Sequence, residues 1–372
     1  MAGVYEDVVA WRRHLHRNPE VSFHEHETAA FVADTLEGFG ALEVERPTET
    51  SVVARLGSGS PVVALRADID ALPIDEDSGV EFASERPGAM HACGHDGHTA
   101  MLLGAARELS GSSFDGEVRF IFQHAEELAP GGARDLVAAG VMENVSFVYG
   151  CHLWTPLEYG RVAAVPGPFM AAADFFTAAV SGRGGHGGLP HTAVDAIAAA
   201  ADFVGSVQHV VSRRIDPLQP AVVTVGSFHA GEAPNVIPGR AELRGTTRSF
   251  DPGVRERLPR LIEEIGRGVC AAHGAEFELD YTFGYKPVVN DERATALVRD
   301  VVGDALIDGF EPIMGGDDFS AYLAEAPGCY AFIGAGGEFP HHHPRFRIDE
   351  RALEIGTRLH VQVALRALEE YA

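Results

Sequence analysis

The chain has 372 residues, 46% of them hydrophobic, and a formal net charge of −25. This length exceeds one ordinary hydrophobic core, so we expect two domains. Such an acidic chain has no bulk attraction for nucleic acid or anionic membrane, which argues against both as partners.

Cysteine usage and hydropathy indicate where the protein works. The four cysteines are far apart in a long chain, which is not the pattern of a disulfide framework. The first twenty residues mix charges and lack the apolar stretch of a signal peptide. No run of 18 apolar residues occurs, so we expect no membrane span. Together these features predict a cytoplasmic protein.

Helical and extended patterns alternate in the first part of the chain. Apolar spacing predicts helices, and short apolar runs between Gly, Ser and Pro predict strands. The order is helices 4–17 and 26–39, strands 51–57 and 61–68, helix 96–109, strand 117–123, helix 131–140 and strand 146–154. This alternation is typical of an α/β fold with a mostly parallel sheet covered by helices on both faces.

The order of elements changes between residues 170 and 283. The pattern predicts strand 174–182, helix 193–214, strands 221–231 and 239–250, helix 252–274 and strand 275–285. This βαββαβ order is ferredoxin-like. Pro259 lies inside the second helix and is expected to shift its start. Alternating elements resume after Pro287, so the segment is an insertion that divides one domain into residues 1–169 and 284–372.

The stretch GAMHACGHDGHTAML, residues 88–102, places Cys93 and His95 on either side of one glycine. In an extended or tightly turned loop both side chains can reach one ion, and both are common zinc ligands. The alternative is a polar turn that caps the helix beginning near Asp96. This spacing alone leaves both interpretations open.

Two glutamates follow an apolar strand in FIFQHAEELAPGGA. Adjacent residues in extended backbone face opposite directions, so one of Glu126 and Glu127 could bind a metal while the other addresses a water. Adjacent glutamates are also common in solvated turns. The apolar strand before them and the glycines after them favour a functional site.

Histidines supply the remaining candidate ligands. His152 ends an apolar strand, where a packed core histidine is the alternative, and residues 341–343 are three histidines that could equally form a surface cluster. Four separate segments thus offer sulfur, nitrogen and oxygen donors, which together suit a two-metal site. Such a site activates water and requires a nearby base.

A series of longer motifs carries a family resemblance. RRHLHRNPEVSFHEHET, LRADIDALPI, MHACGHDGHTAMLLGAA, FQHAEE, GCHLW, GRGGHGGLPH, PNVIPGRAELRGTTRSFD, GGDDFSAYL and HHHPRFRIDE occur in this order. The chain resembles the metallo-aminoacylase/carboxypeptidase clan along essentially its whole length. Within that clan it is similar to the branch of hippurate hydrolases, N-acyl-amino-acid amidohydrolases and plant auxin-conjugate hydrolases.

The resemblance implies a catalytic domain, 1–169 with 284–372, around two divalent metal ions (Zn, Mn, Co or Ni). The inserted domain, 170–283, would be a lid and would join two copies as a homodimer. In relatives the last ligand stands two residues before a proline, which selects His342 over His343. The implied metal ligands are Cys93, His95, Glu127, His152 and His342.

The resemblance also implies roles beyond the ligands. Glu126 would be the general base that takes a proton from water and returns it to the leaving amine. Asp70 would support the centre, although a strand-end turn carboxylate is an equal alternative. His186 would hold the oxyanion rather than serve as a turn histidine. Asn235 and Arg248 would hold a substrate carboxylate, unless Arg248 faces solvent.

One position departs from the family pattern. Relatives commonly have Glu-Asp-Phe where this chain has Asp317-Asp318-Phe319, which puts any metal-related role of Asp317 in doubt. The function implied is hydrolysis of N-acetyl or N-benzoyl amino acids to a carboxylic acid and a free amino acid. Alternatives are a dipeptidase or carboxypeptidase, an N-acetyl-diaminopimelate deacetylase, a carbamoyl-type hydrolase, or an inactive metal-bearing binding protein.

Overall fold

A computed structural model describes residues 2–372, which form two compact units. The first unit contains residues 2–169, 288–311 and 318–372, and the second contains residues 170–287 and 312–317. The chain therefore passes from one unit to the other at 169/170, 287/288, 311/312 and 317/318. The last strand of the second unit, Glu276–Tyr285, ends shortly before the division at 287/288.

The first unit is built on a seven-stranded sheet. Its four central strands run parallel, and antiparallel strands flank them on both sides. The spatial order is Glu43–Glu45, Val52–Ser58, Gly116–Gln123, Val62–Asp68, Val145–Trp154, Gly328–Gly334 and Val162–Ala163. Every residue of Val62–Asp68 is buried, as expected for a strand covered on both faces. The predicted fold class is confirmed.

Helices complete the hydrophobic core of this unit. The longer ones are Ala2–Arg17, His26–Glu37, His95–Ser110, Glu292–Val302 and Ala352–Glu370, and the shorter ones are Gly132–Ala138, Gly303–Ala305 and Ser320–Leu323. The regular helix Glu292–Val302 is followed directly by the 3₁₀ turn Gly303–Ala305. Among the described residues, no helix has the length and apolar character that a bilayer crossing requires.

The second unit contains an antiparallel sheet of order Ala221–Ala230, Arg240–Ser249, Ala172–Ser181 and Glu276–Tyr285. Numbered along the chain, these strands lie in the order 2-3-1-4, the ferredoxin-like arrangement. Helices Ala196–Val207 and Pro252–His273 pack against this sheet. Short strands Gly185–His186 and Val236–Ile237 pair separately, the turn Pro190–Thr192 is 3₁₀, and Gly167–Met170 and Val288–Asn290 lie at the unit boundaries.

Two helix predictions for this unit require correction. The helix expected over 193–214 is regular only to Val207 and is followed by a π-helical turn, Val210–Arg214. Pro259 does not shift the start of its helix, which begins at Pro252. The Asp251 carboxylate accepts a hydrogen bond from the Val254 amide at 2.8 Å, so the N-cap sets the first turn before the proline is reached.

Candidate metal centre

The centre of the first unit lies where parallel strands end. Asp68 ends one central strand, Glu126 and Glu127 follow the next, and His152 lies near the end of a third. Because the carboxyl ends of parallel strands meet at one edge of a sheet, side chains distant in sequence converge there.

Cys93 and His95 reach this edge from the start of helix His95–Ser110. Gly94 between them has φ +92°, a left-handed conformation that glycine adopts readily. The Cys93 Sγ lies 3.4 Å from the His152 Nε2. The His95 Nε2 lies 3.9 Å from the Glu127 Oε1. The short motif and the two strand ends therefore meet at one place.

The three histidines at 341–343 have different surroundings. The His342 Nε2 lies 3.1 Å from the Glu127 Oε1, and the His342 backbone has φ +64°. This strained conformation is held by a 2.8 Å hydrogen bond from the His342 amide to the Ala92 carbonyl. The His341 Nε2 forms a 3.0 Å hydrogen bond with the Leu153 carbonyl, and the His343 Nδ1 accepts a hydrogen bond from the Arg345 amide. Of the three, His342 has the side chain that points to the carboxylate.

The converging atoms fit a metal ion. In three overlapping groups the potential ligand atoms lie within 4.8 Å of one another: Cys93, His95 and His152; Cys93, Glu127 and His342; His95, Glu126 and Glu127. Among the described residues, the buried His95 Nε2 has no hydrogen-bond partner, although it faces the Glu127 Oε1 at 3.9 Å. Buried polar atoms are normally satisfied, so atoms that face each other without hydrogen bonds suit a shared cation. Mixed sulfur, nitrogen and oxygen donors suit zinc or another first-row transition metal.

The electrostatic field at the centre also favours a cation. Burial disfavours a charged imidazole, yet the carboxylates of Asp68 and Asp70 outweigh it and raise the pKa of His95 to about 10. Burial and the carboxylates of Glu127 and Glu126 raise the pKa of the Cys93 thiol well above its ordinary value. The carboxylates that favour protons on His95 and Cys93 also favour a divalent ion, which would replace those protons.

Asp70 lies behind the candidate ligands rather than among them. Its Oδ1 is 3.2 Å from the His95 Nδ1, and its Oδ2 accepts a 3.0 Å hydrogen bond from the Glu127 amide. The Ser22 hydroxyl donates to the same Oδ2 at 2.6 Å. Asp70 thus orients a ring and a backbone amide, as carboxylates behind metal-binding histidines commonly do.

Comparison with known proteins gives this arrangement its family. Residues 64–366 match the model of peptidase family M20/M25/M40. The chain is 56% identical over 291 residues to an N-acyl-L-amino acid amidohydrolase of Geobacillus stearothermophilus, covering 77% of this chain and 79% of that protein. It is 39% identical to thermostable carboxypeptidase 2 of Saccharolobus solfataricus, over 96% of this chain and 95% of that one. The chain belongs to peptidase family M20/M25/M40.

A solved structure agrees with this membership. A dinuclear metal binding peptidase of Bacillus subtilis superimposes with a TM-score of 0.85 at 34% identity, covering 99% of each chain. The resemblance stated from the motifs is confirmed, as is the prediction of a metal-dependent hydrolase.

The second unit of this M20 family member carries the other three candidates. His186 pairs with Val236 in a short ladder, and the Gly187 amide donates to the Asn235 carbonyl at 2.8 Å. A Cβ at Gly187 would lie 2.9 Å from that carbonyl oxygen, so the close approach requires glycine. The exposed His186 accepts at Nδ1 from the Gly188 amide, which leaves Nε2 as the ring nitrogen available to a ligand.

Arg248 lies apart from His186, on strand Arg240–Ser249. Its guanidinium donates to the Thr246 hydroxyl and to the Thr247 carbonyl, and it lies 5.9 Å from the Phe175 ring centre. Burial lowers the pKa of Arg248. The side chain is half-buried, in contrast to the solvent-facing alternative.

The sequence interpretation missed a buried pair beside the ligands. The His98 Nδ1 lies 2.6 Å from the Asp68 Oδ1, and its Nε2 accepts from the Leu153 amide at 2.8 Å. Both ring nitrogens are therefore engaged, which argues against metal binding by His98 despite its proximity. The signal was available, because His98 follows His95 by one helical turn.

A second missed feature is the network around Arg66. The fully buried guanidinium contacts the Asp68 Oδ2 at 2.6 Å and the Asp318 Oδ1 at 2.8 Å. Gln123 also donates to Asp318, whose other oxygen accepts from the Ala133 amide at 3.0 Å. The network joins the ends of two central strands, so it stabilises the edge on which the centre is built. Asp317, the departure from the family pattern, is buried.

Proposed function

We propose that this chain hydrolyses the amide bond of N-acyl amino acids, releasing a carboxylic acid and a free amino acid. The observation that carries the proposal is the turn at residues 126–127. One glutamate, Glu127, lies against His95 and His342, and the adjacent Glu126 offers a second carboxylate to the same centre. A carboxylate that is not needed as a ligand suits the role of general base.

The residues that would hold two divalent ions are Cys93, His95, Glu127, His152 and His342. When bound, such ions polarise a carbonyl and lower the pKa of water. The five side chains fit that role through their donor types and their mutual distances. Zn, Mn, Co and Ni are all compatible with this donor set.

Glu126 would take a proton from the attacking water and later deliver it to the amide nitrogen that leaves. One residue can serve both steps because the carboxyl group that gains the proton is then the acid. His186 would donate its Nε2–H to the oxyanion of the tetrahedral intermediate. Asn235 and Arg248 would hold the free carboxylate of the amino acid, for which a guanidinium fork is well shaped.

Carboxypeptidase or dipeptidase activity is the main alternative, because one of the relatives above is named a carboxypeptidase. Both reactions cleave an amide next to a free carboxylate, so the same centre would serve either. The higher identity to an N-acyl-L-amino acid amidohydrolase favours the acyl substrate. An inactive metal-bearing binding protein is disfavoured, because a binder has no need of Glu126 beside its ligands.

Activity assays distinguish these functions. N-acetyl amino acids, N-benzoyl amino acids and dipeptides should be tested with Mn, Co, Zn and Ni. Glu126→Gln should retain its metal and lose kcat by about 10²-fold or more, because a general base acts in the chemical step. Glu37→Gln, an exposed position at a helix end, is the control. Turnover of dipeptides alone would overturn the substrate assignment, and equal turnover in Glu126→Gln would overturn the base.

We further propose that the protein works in the cytoplasm as a homodimer joined through the second unit. The four free, buried cysteines support a reducing compartment. Cell fractionation and light scattering of the purified chain test the two statements separately.

A further inference from the structure

The segment just before helix His26–Glu37 contacts two of the three strand ends that form the centre. The Ser22 hydroxyl donates to Asp70, and the Phe23 ring meets the His124 ring edge-on at 5.6 Å. The Glu25 Oε1 accepts a 2.7 Å hydrogen bond from the Ala125 amide. Three nearly consecutive residues therefore contact residues that lie about 50 to 100 positions later in the chain.

Ala125 has an unusual backbone. Its φ is +49°, a left-handed conformation that is unfavourable for alanine. Such a conformation persists only where the surroundings hold it. The Ala125 carbonyl accepts from the Gly132 amide at 3.1 Å, and its amide is held by Glu25. This turn sets the directions in which the next two glutamates point.

Two buried carboxylates therefore hold the amides on either side of Glu126. Glu25 holds the Ala125 amide, and Asp70 holds the Glu127 amide at 3.0 Å. A base and a ligand that are adjacent in sequence must point to different places at one centre. Fixing the amides of Ala125 and Glu127 fixes the backbone on both sides of Glu126. This orients the side chains of Glu126 and Glu127.

Burying the Glu25 carboxyl group costs free energy, and its hydrogen bond to the turn at Ala125 gives a reason for that burial. Glu25 occupies the N-cap of its own helix but makes no side-chain hydrogen bond there. It is fully buried, and burial followed by the negative charge of Asp70 raises its pKa to about 7. A buried carboxyl group next to another one is unfavourable, so its presence fits a specific task.

We propose that Glu25 is a positioning residue that sets Glu126 and Glu127 through the Ala125 amide. The inference rests on the function proposed above for those two glutamates. What the turn requires from residue 25 is a hydrogen-bond acceptor of the right length. Glutamine supplies that acceptor without charge, whereas methionine fills a similar volume and supplies none.

Metal binding and turnover of Glu25→Met and Glu25→Gln test this proposal. Co²⁺ titrations followed by visible absorption should show that Glu25→Met binds Co²⁺ more weakly than the wild type, by roughly tenfold or more. The absorption spectrum of its Co²⁺ complex should also differ from that of the wild type. Its kcat for an N-acetyl amino acid should fall more than its KM changes. Glu25→Gln should recover Co²⁺ affinity, spectrum and kcat to within about threefold of the wild type, because its amide oxygen still accepts from Ala125.

Glu20→Met is the matched control. The Glu20 carboxylate lies in the same segment and accepts from the Thr28 amide at 2.7 Å. The Glu20→Met variant should keep wild-type Co²⁺ binding. If thermal unfolding shows that Glu25→Met is not folded, Glu25→Asp replaces it. A carboxylate that is one methylene shorter should also weaken Co²⁺ binding.

Two results would overturn the role of Glu25. One is wild-type Co²⁺ affinity and spectrum in folded Glu25→Met, or in Glu25→Asp where that variant replaces it. The other is an equal loss in Glu25→Gln. Failure of the proposed function is a separate outcome, namely a wild type that binds Co²⁺ but hydrolyses no N-acyl amino acid.

Discussion

Metal binding should release protons, and its strength should therefore depend steeply on pH. A thiol binds a metal as thiolate, and a histidine binds through an unprotonated nitrogen. Burial and nearby carboxylates raise the pKa of Cys93 well above its usual value. The acidic neighbours of His95 outweigh its burial and raise its pKa to about 10. Near pH 7 each group thus carries a proton that the ion must displace.

The magnitude follows from counting those protons. Each proton released makes the binding constant rise about tenfold per pH unit. With one proton from Cys93 and one from His95, log K should rise with a slope of about 2 near neutral pH. Because both pKa values lie above 7, the direction is unambiguous: acid weakens binding and base strengthens it.

Chelator-competition titrations with Zn²⁺ between about pH 6.5 and 7.5 measure this slope. Calorimetry in two buffers of different ionisation enthalpy counts the protons independently. Cys93→Ala should lower the slope by about 1, whereas Cys270→Ala, a buried thiol of the second unit, should leave it unchanged. A flat wild-type profile, or an unchanged slope in Cys93→Ala, would refute the reasoning.

Further outcomes are expected elsewhere in the chain. His342→Ala should lose metal and abolish turnover while His343→Ala is mild, and metal analysis showing the reverse would move the last ligand by one residue. Burial lowers the pKa of His360 to about 3, so the folded state resists a proton that the unfolded chain takes below about pH 6.5. Stability is lost as pH falls through this range, by about 2 kcal/mol at pH 5 from this residue. Urea unfolding of His360→Phe at pH 7 and pH 5 should show a correspondingly smaller difference than the wild type. His186→Ala should lower kcat more than it raises KM, by roughly 10²-fold. Arg248→Ala should raise KM for N-acyl amino acids but not for their amides, and equal wild-type turnover of acids and amides would contradict a carboxylate site.

Much of the fold was accessible from local patterns. Periodicity predicted the parallel centre of the sheet and the βαββαβ order of the insertion, because both depend on residues close in sequence. The N-cap at Asp251 is also a local feature of the sequence, and it fixes the start of its helix despite Pro259. The break after Val207 followed no strong breaker residue, and only the structure showed it.

The motifs around Cys93, Glu127 and His342 name the donor groups and the family, so both can be read from the amino-acid sequence. Tertiary structure decided how these groups face one another. The left-handed backbones of Ala125 and His342 are not properties of alanine or histidine, and they arise from contacts made by distant residues. The tasks of buried acids such as Glu25 are likewise set by strand register and burial, which bring together atoms that no short stretch of sequence relates.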